Sequence, residues 1–261
     1  LLERITPNTR AVIFVGIGGS TGQFDRIREI CAERGLKLIL DAAHMAGTRY
    51  QSRDPGQLAD AACYSFQAVK NLPTFDSGLL CTRDAAVSDV ARKLSWLGIS
   101  KDTFSRSQSG TYAWRYDVEH VGFKYNGNSV AAVMALVGLK YLEQDNAFRR
   151  HLAEVYHAGF RDLDHVDEVH QPNASESSRH LFQIRVDNRA DLIASLQSAS
   201  IFPGVHYTSN ATYPMYRHLE ASVPRASRYS AQILSLPLHL QLDDADVSRI
   251  IEVVSEWSTS N

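Results

Sequence analysis

The chain carries the sequence LILDAAH at residues 38–44, in which an apolar run ends on a carboxylate, Asp41. A short apolar run of this kind predicts a buried strand of a parallel sheet. Open α/β sheets bind their ligands outside the carboxyl ends of their strands. We therefore expect Asp41 to lie at the ligand-binding edge of a sheet, although an aspartate at a strand end is also typical of a turn or cap.

The sequence around this run alternates between strand patterns and helix patterns. The unbroken apolar stretch near the start of the chain predicts a strand that is covered on both faces. Because strands alternate with amphipathic helices, the first half predicts an α/β domain. The predicted strands of this half are residues 11–16, 36–40, 61–66 and 78–82, and the predicted helices are residues 23–34 and 84–97.

The second half predicts two helices followed by a smaller α/β domain. A polar stretch at residues 98–122 has no clear period, and a loop of this length is typical of a functional segment. We expect a large domain over residues 1–127, linking helices over 128–163 and a C-terminal domain over 164–261. The predicted helices are residues 128–143, 146–163, 190–198 and 243–257, and the predicted strands are residues 180–186 and 204–207.

The composition is that of an ordinary globular protein, with 44% apolar and 21% charged residues among 261. A net charge of -2 provides no field that would attract the chain to nucleic acid or to an anionic membrane. No apolar run approaches the roughly 20 residues that a membrane-spanning helix needs. The three cysteines show no pairing or zinc-binding spacing, so we expect no metal site and a reducing, cytoplasmic location.

Lys70 lies in the sequence YSFQAVKN, residues 64–71, where a predicted strand runs into a turn. An amine attacks an aldehyde only when it is unprotonated, so a nucleophilic lysine needs surroundings that lower its pKa. The apolar pair Ala68 and Val69 precedes Lys70, and Ser65 offers a hydroxyl to a phosphate. Without this context, a solvated surface lysine is the ordinary interpretation.

Asp41 and His44 are close enough in sequence to act on one pyridine ring. A carboxylate beside the ring nitrogen keeps that nitrogen protonated, and the ring then serves as an electron sink. An imidazole can hydrogen-bond a phenolic oxygen on the same ring, although a loop histidine more often has a structural partner. The glycine-rich sequence GIGGS at residues 16–20 lacks the spacing of a phosphate-binding loop, and we interpret it as a tight turn.

Taken in order, these motifs resemble the DegT/DnrJ/EryC1/StrS aminotransferases, which are sugar-modifying enzymes. The resemblance spans almost the whole chain. It implies the α/β fold of fold type I transferases, with a three-layer α/β/α large domain and a smaller C-terminal α/β domain, and it implies pyridoxal 5'-phosphate as the cofactor. The motifs are ITPNTRA at 5–11, ILDAAH at 39–44, YSF at 64–66, KN at 70–71, GFKYN at 122–126, GVHY at 204–207 and LSLPLH at 234–239.

The resemblance also implies roles for the residues of the cofactor site. Asp41 would pair with the pyridine nitrogen, and His44 would contact the phenolic oxygen. Ser65 would bind the phosphate, and Lys70 would bind the cofactor covalently.

Other matching residues imply a partner subunit and a substrate site. The segment with Lys124 and Asn126 would reach into the neighbouring subunit's active site, which implies a homodimer with shared sites. His206 and Tyr207 match positions near the substrate. By residue type alone, the aromatic and cationic side chains of the long loop are also expected to bind the substrate. These loop residues are Trp114 and Arg115, together with Tyr112.

The implied reaction is transfer of an amino group from an amino acid, which we expect to be glutamate, to a nucleotide-linked keto-deoxysugar. It would serve the synthesis of amino sugars for polysaccharides or secondary metabolites. One alternative is a sugar dehydratase of the same family, but such relatives have a histidine in place of the lysine. Another is a non-catalytic dimeric relative that binds the cofactor.

The sequence departs from the family pattern in three places. The lysine is followed by TFDSG at residues 74–78 instead of a glycine-rich turn, and Gly127 replaces a larger apolar residue. The opening LLER reads like the end of a helix, so we expect an upstream segment. In similar enzymes, such a segment contacts the phosphate and stacks on the pyridine ring.

Overall fold

The computed structural model describes residues 1–100, 116–172, 175–219 and 222–259. The chain divides into two compact units, the first made of residues 1–15, 23–43 and 53–140, and the second of residues 16–22, 44–52 and 141–261. The described strands are β1 (Ala11–Val15), β2 (Lys37–Asp41), β3 (Arg49–Tyr50), β4 (Ala61–Ser65), β5 (Gly78–Thr82), β6 (Asp167–Glu168), β7 (Ser175–Glu176), β8 (Phe182–Arg185) and β9 (Ile233–Leu236). The described helices are α1 (Phe24–Glu33), α2 (Ala85–Ser95), α3 (Ser129–Gly138), α4 (Leu142–Phe160), α5 (Arg189–Ser198), α6 (Pro224–Gln232) and α7 (Asp244–Thr259).

The first unit contains a four-stranded sheet with the order β1-β2-β4-β5. Strands β1, β2 and β4 run parallel, and β5 runs antiparallel to β4. The register places Val15 beside Asp41, and Asp41 beside Cys63. The carboxyl ends of the three parallel strands therefore meet at one edge, as the sequence predicts.

The two faces of this sheet differ in burial. On β2, Leu38 and Leu40 are buried, whereas Ile39 and Asp41 on the opposite face are only half-buried. Ile13 of β1 is 67% exposed. The prediction that this first strand is covered on both faces is wrong for the described residues, because they bury one face of the sheet more than the other.

The second unit has its core around a three-stranded antiparallel sheet of order β6-β8-β9. A cluster of buried apolar side chains forms this core. Fully burying one aliphatic or aromatic side chain contributes roughly 1.5–3 kcal/mol, so the cluster stabilises the unit. Helices α4, α5 and α7 supply most of the side chains that do not come from the sheet. The most deeply buried members are Leu152, Ala153, Tyr156, Ile184, Leu192, Leu196, Leu234, Val247 and Val254.

Most predicted elements are present with ends shifted by a few residues, but residues 204–207 do not form a strand. Gly204 makes a single bridge to Ser235. The carbonyl of His206 then accepts a hydrogen bond from the side chain of Gln183, at 2.8 Å, instead of continuing a ladder. The strands that pair with β8 are β6 and β9, and the sequence patterns predicted neither of them.

Two further features concern function. No helix among the described residues is long and apolar enough to cross a membrane. In the same part of the chain, no group of histidine, cysteine, aspartate and glutamate side chains could hold a metal ion. The domain boundaries at residues 127 and 163 remain a prediction.

Candidate active site

Asp41 lies at the carboxyl end of β2, and its side chain is held by a local turn. Its carboxylate accepts a hydrogen bond from the backbone N–H of Ala43 at 3.1 Å. Burial lowers the pKa of the Lys70 amine, and the negative charge of Asp41 opposes this shift. Burial raises the pKa of the Cys63 thiol, and the charge of Asp41 adds to that shift. The carboxylate and the Lys70 amine, which are distant in sequence, therefore lie within electrostatic reach of each other in the first unit.

The Lys70 amine is half-buried, and two opposing effects act on its pKa. Burial lowers the pKa, because desolvation penalises the charged ammonium, and this effect is larger than the opposing effect of Asp41. The net result is a pKa below the ordinary lysine value. A lowered pKa increases the fraction of neutral amine, which is the form that attacks a carbonyl group.

The loop that carries Lys70 is closed by backbone hydrogen bonds at its base. Phe66 donates to Ser77 at 2.9 Å, Thr74 donates to Phe66 at 2.8 Å, and Ala68 donates to Phe75 at 2.8 Å. Lys70 itself donates to Gln67 at 2.9 Å, which forms a turn at the tip. The backbone of Lys70 is thus fixed by contacts on both sides of the loop.

A side chain next to Lys70 anchors the loop to a helix. Leu72 is buried, and its Cδ1 atom would lie 2.7 Å from a Cβ atom added at Gly138. A side chain at this position of α3 would therefore require Leu72 to move. The small residue therefore lets α3 and the lysine loop pack closely.

The structure resolves the geometry of residues 74–78, where the sequence departs from the family pattern. Phe75 has a φ angle of 70°, which is the left-handed conformation that glycine prefers. Its side chain is 73% exposed. The hydroxyls of Thr74 and Ser77 lie 2.6 Å apart and tie the turn together. The loop keeps a tight turn without the usual glycines.

Ser65 ends β4 at the same sheet edge as Asp41. Because Cys63 is beside Asp41 and side chains alternate along a strand, Ser65 lies on the same face of the sheet as Asp41. Its hydroxyl is 3.4 Å from the backbone N–H of Gln67. The first unit therefore brings together three of the predicted residues, Asp41, Ser65 and Lys70.

His44 belongs to the second unit and is 8% exposed. The backbone N–H of Gly18 donates to its Nδ1 atom at 3.2 Å, and the Tyr207 hydroxyl lies 3.4 Å from its Nε2 atom. The ring of His180 lies 4.2 Å from the His44 ring, centroid to centroid. The sequence patterns predicted His44 and Tyr207 as site residues but missed Gly18 and His180, since no local spacing connects these positions.

His206 has structural partners in the second unit. Its Nδ1 atom lies 2.9 Å from the Ser235 hydroxyl, and its carbonyl accepts from Gln183. These contacts favour the structural interpretation of His206, while the exposed Tyr207 hydroxyl lies beside His44. The role of His206 near a substrate remains a prediction.

Lys124 and Asn126 are exposed side chains of the first unit. The Lys124 amine donates to Asn126 at 3.2 Å and lies 3.9 Å from the centre of the Trp96 ring. These contacts link the two side chains to each other and to Trp96. Trp114 and Arg115, which are predicted to bind the substrate, lie outside the described residues.

The residues of the first unit fit pyridoxal 5'-phosphate. The cofactor needs a lysine with available neutral amine and a carboxylate close to it, and the lowered pKa of Lys70 and the nearby charge of Asp41 meet both needs. A hydroxyl for the phosphate is present at the same sheet edge. This combination on an α/β sheet is typical of fold type I transferases that use pyridoxal phosphate.

The chain belongs to the DegT/DnrJ/EryC1/StrS aminotransferase family, whose model matches residues 1–255. It is 33% identical over 263 residues to the spore coat polysaccharide biosynthesis protein SpsC of Bacillus subtilis, covering 97% of this chain and 67% of SpsC. The structure is similar to the aminotransferase TlmJ from Streptoalloteichus hindustanus, with a TM-score of 0.89, 32% identity, and coverage of 99% and 68%. It is also similar to the PLP-form of the putative sugar aminotransferase Spr1654 from Streptococcus pneumoniae, with a TM-score of 0.87, 26% identity, and coverage of 99% and 70%.

These comparisons confirm four predictions made from the sequence. The family is the one that the motifs resemble. The fold is the α/β fold of pyridoxal-phosphate transferases, the chain is an aminotransferase, and its cofactor is pyridoxal 5'-phosphate. The activity is that of a sugar aminotransferase.

Proposed function

We propose that this chain transfers an amino group from glutamate to a nucleotide-linked keto-deoxysugar. The observation that carries the transfer chemistry is the half-buried Lys70 amine, which lies near the charge of Asp41 and has a lowered pKa. The name of SpsC, a spore coat polysaccharide biosynthesis protein, supports a role in making amino sugars for a polysaccharide. The name of Spr1654, a putative sugar aminotransferase, supports a sugar acceptor.

The proposed mechanism assigns one task to each site residue. When bound, pyridoxal phosphate supplies an electrophilic aldehyde and a ring that accepts electrons. Lys70 would bind covalently through Nζ and then, once displaced, would take up and return protons as a general base and acid. Asp41 would hold a proton on the pyridine nitrogen. Ser65 would bind the phosphate, and His44 would donate to the phenolic oxygen.

We propose that the functional form is a homodimer in which each subunit contributes to its neighbour's site. Lys124 and Asn126 are exposed, as a contact with another subunit requires. Helix α3 presents apolar side chains to the surface, with Val130 at 70%, Val133 at 59% and Leu136 at 63% exposure. An exposed apolar patch of this kind is typical of a protein interface.

We also propose a cytoplasmic location. The three cysteines are free thiols, as expected in a reducing compartment. The chain's net charge of -2 leaves recognition of the phosphate groups of a nucleotide-linked sugar to local cationic side chains.

The substrate proposal is tested with nitrogen-labelled glutamate and a panel of keto-sugar nucleotides. We expect label to appear in a sugar with the native protein and with Lys140→Ala, which removes an exposed lysine of the same unit. We expect no label with Lys70→Ala. Transfer by Lys70→Ala would contradict the role of that amine. Failure of the native protein to label any sugar, despite bound cofactor, would favour a non-catalytic relative, and loss of a sugar hydroxyl without label would favour the dehydratase.

A further inference from the structure

The imidazole of His44 has two nitrogen atoms with different surroundings, both within the second unit. The backbone N–H of Gly18 donates to Nδ1 at 3.2 Å. A backbone N–H group can only donate, so Nδ1 must be the acceptor and carry no proton. Neutral His44 then carries its proton on Nε2, which makes Nε2 a hydrogen-bond donor.

The Gly18 N–H reaches Nδ1 because of the unusual backbone of the turn. Gly18 and Gly19 have φ angles of 62° and 88°, which side-chain-bearing residues adopt at a cost. A Cβ atom at Gly19 would lie 2.4 Å from the Ser178 hydroxyl and 2.7 Å from the Ser177 hydroxyl. Glycine at this position is therefore required for both its conformation and its size.

A second set of contacts holds the backbone of His44. The Ser178 hydroxyl donates to the His44 carbonyl at 2.7 Å. Thr48 accepts from the Ser178 backbone N–H at 3.0 Å, and its hydroxyl donates to the Gly19 carbonyl at 3.3 Å. Ser178 and Thr48 are buried, so these hydrogen bonds are shielded from water and couple the histidine to the glycine turn.

We propose that the Gly16–Gly19 turn, buttressed by Ser178, is a positioning element that holds His44 with its proton on Nε2. The inference rests on the proposed function in one respect. In that function, the phenolic oxygen of the cofactor accepts the hydrogen bond from Nε2. It goes further by assigning the tautomer and the residues that impose it. The Tyr207 hydroxyl, which is itself a phenolic oxygen, lies 3.4 Å from Nε2 and can accept a hydrogen bond from a protonated Nε2.

The tautomer is measured directly by nitrogen NMR of histidine-labelled protein without cofactor, with His44→Gln used to assign the signals. We expect the native protein to show a protonated Nε2 and an unprotonated Nδ1 at His44 near neutral pH. A neutral His44 protonated on Nδ1 would overturn the inference. This measurement is independent of cofactor binding and of turnover.

Two glycine variants test whether the turn imposes the tautomer. Gly19→Ala places a methyl group against Ser177 and Ser178, whereas Gly35→Ala has a similar φ angle of 64° but nothing within 4 Å of the new atom. We expect Gly19→Ala to give a mixture of His44 tautomers and Gly35→Ala to retain the native one. An unchanged tautomer in Gly19→Ala would overturn the role of the turn.

Ser178→Ala provides a milder variant, because it removes one hydroxyl and keeps the turn free of clashes. We expect a mixture of His44 tautomers and a shifted pH profile of the bound cofactor's absorbance, with Ser198→Ala as the exposed control. An unchanged tautomer in Ser178→Ala would overturn the buttressing role. If the native tautomer is as expected but His44→Gln leaves the cofactor absorbance unchanged, the proposed contact with the cofactor fails while the positioning inference stands.

Discussion

At the scale of single residues, the site depends on a balance at Lys70. Burial lowers the pKa of its amine, and Asp41 raises it by a smaller amount. A buried lysine with no acid nearby would have a neutral amine but no carboxylate for the cofactor. A lysine in a strong ion pair would keep its amine charged and unreactive. The observed balance leaves the amine reactive while a carboxylate stays close.

The lowered pKa of Lys70 predicts a stability change that depends on pH. A lysine whose folded pKa lies below its unfolded value of about 10.4 destabilises the folded state at lower pH. This penalty is fully present below the folded pKa and disappears as pH rises through the unfolded value. We therefore expect Lys70→Met to raise the midpoint of thermal unfolding at pH 7 and to lose this advantage above about pH 11.

The measurement uses cofactor-free protein, since bound cofactor would stabilise only the native lysine form. Lys140→Met, at an exposed position of the same unit, is the control and should change the midpoint little at either pH. A Lys70→Met protein that is less stable than the native one at pH 7 would mean that the amine is not penalised by burial.

The sequence indicated Lys70, Asp41 and Ser65, because each lies at or just after the end of a predicted strand and the motifs around them resemble one family. It could not indicate Ser178, whose hydroxyl bonds the His44 carbonyl across 134 residues of sequence. It also gave no sign that Phe75 takes a glycine-like φ angle. Both features depend on tertiary packing, which leaves no local pattern.

At the scale of elements, periodicity predicted the parallel strands and most helices but failed where pairing ends early. Residues 204–207 contain the β-branched and aromatic residues of a strand, yet one bridge at Gly204 and a side-chain bond at His206 replace the ladder. Strand β9 was missed, although all four of its residues are buried. Short apolar runs do not reveal which partner strand they will pair with.

The packing of α3 against the lysine loop gives a prediction at this scale. Gly138→Val would force Leu72 to move, because even a Cβ atom there lies 2.7 Å from Leu72 Cδ1. We expect a loss of roughly 1–3 kcal/mol in the free energy of unfolding, measured with urea, from overpacking. We also expect slower covalent capture of pyridoxal phosphate, because Lys70 lies in the displaced loop.

Gly127→Val is the matched control, since nothing lies within 4 Å of a Cβ atom at that position. It should change the unfolding free energy and the capture rate little. Equal effects of the two substitutions would show that loop displacement is not the cause.

At the scale of the whole molecule, the proposed dimer explains two kinds of exposed residue. Lys124 and Asn126 are polar groups that would serve a neighbour's site, and the apolar side chains of α3 would be buried by a partner. Sequence alone implied the dimer only through family resemblance. The exposed apolar side chains provide separate physical support.

Shared active sites predict complementation between two inactive proteins. A mixed dimer of Lys70→Ala and Asn126→Ala subunits would contain one site with a native lysine and a native asparagine. We expect refolded mixtures to show more activity than either variant alone, up to about one quarter of the native rate if subunits pair at random. Activity no higher than the average of the two parents would mean that each site is built from a single subunit.

The most direct test of the account is to locate the covalent attachment of the cofactor. The protein is incubated with pyridoxal phosphate, reduced with borohydride, digested and mapped by mass spectrometry. We expect the pyridoxyl phosphate mass on the peptide that contains Lys70, and its loss in Lys70→Ala with no transfer to another lysine. Attachment at a different lysine in the native protein would contradict the central assignment.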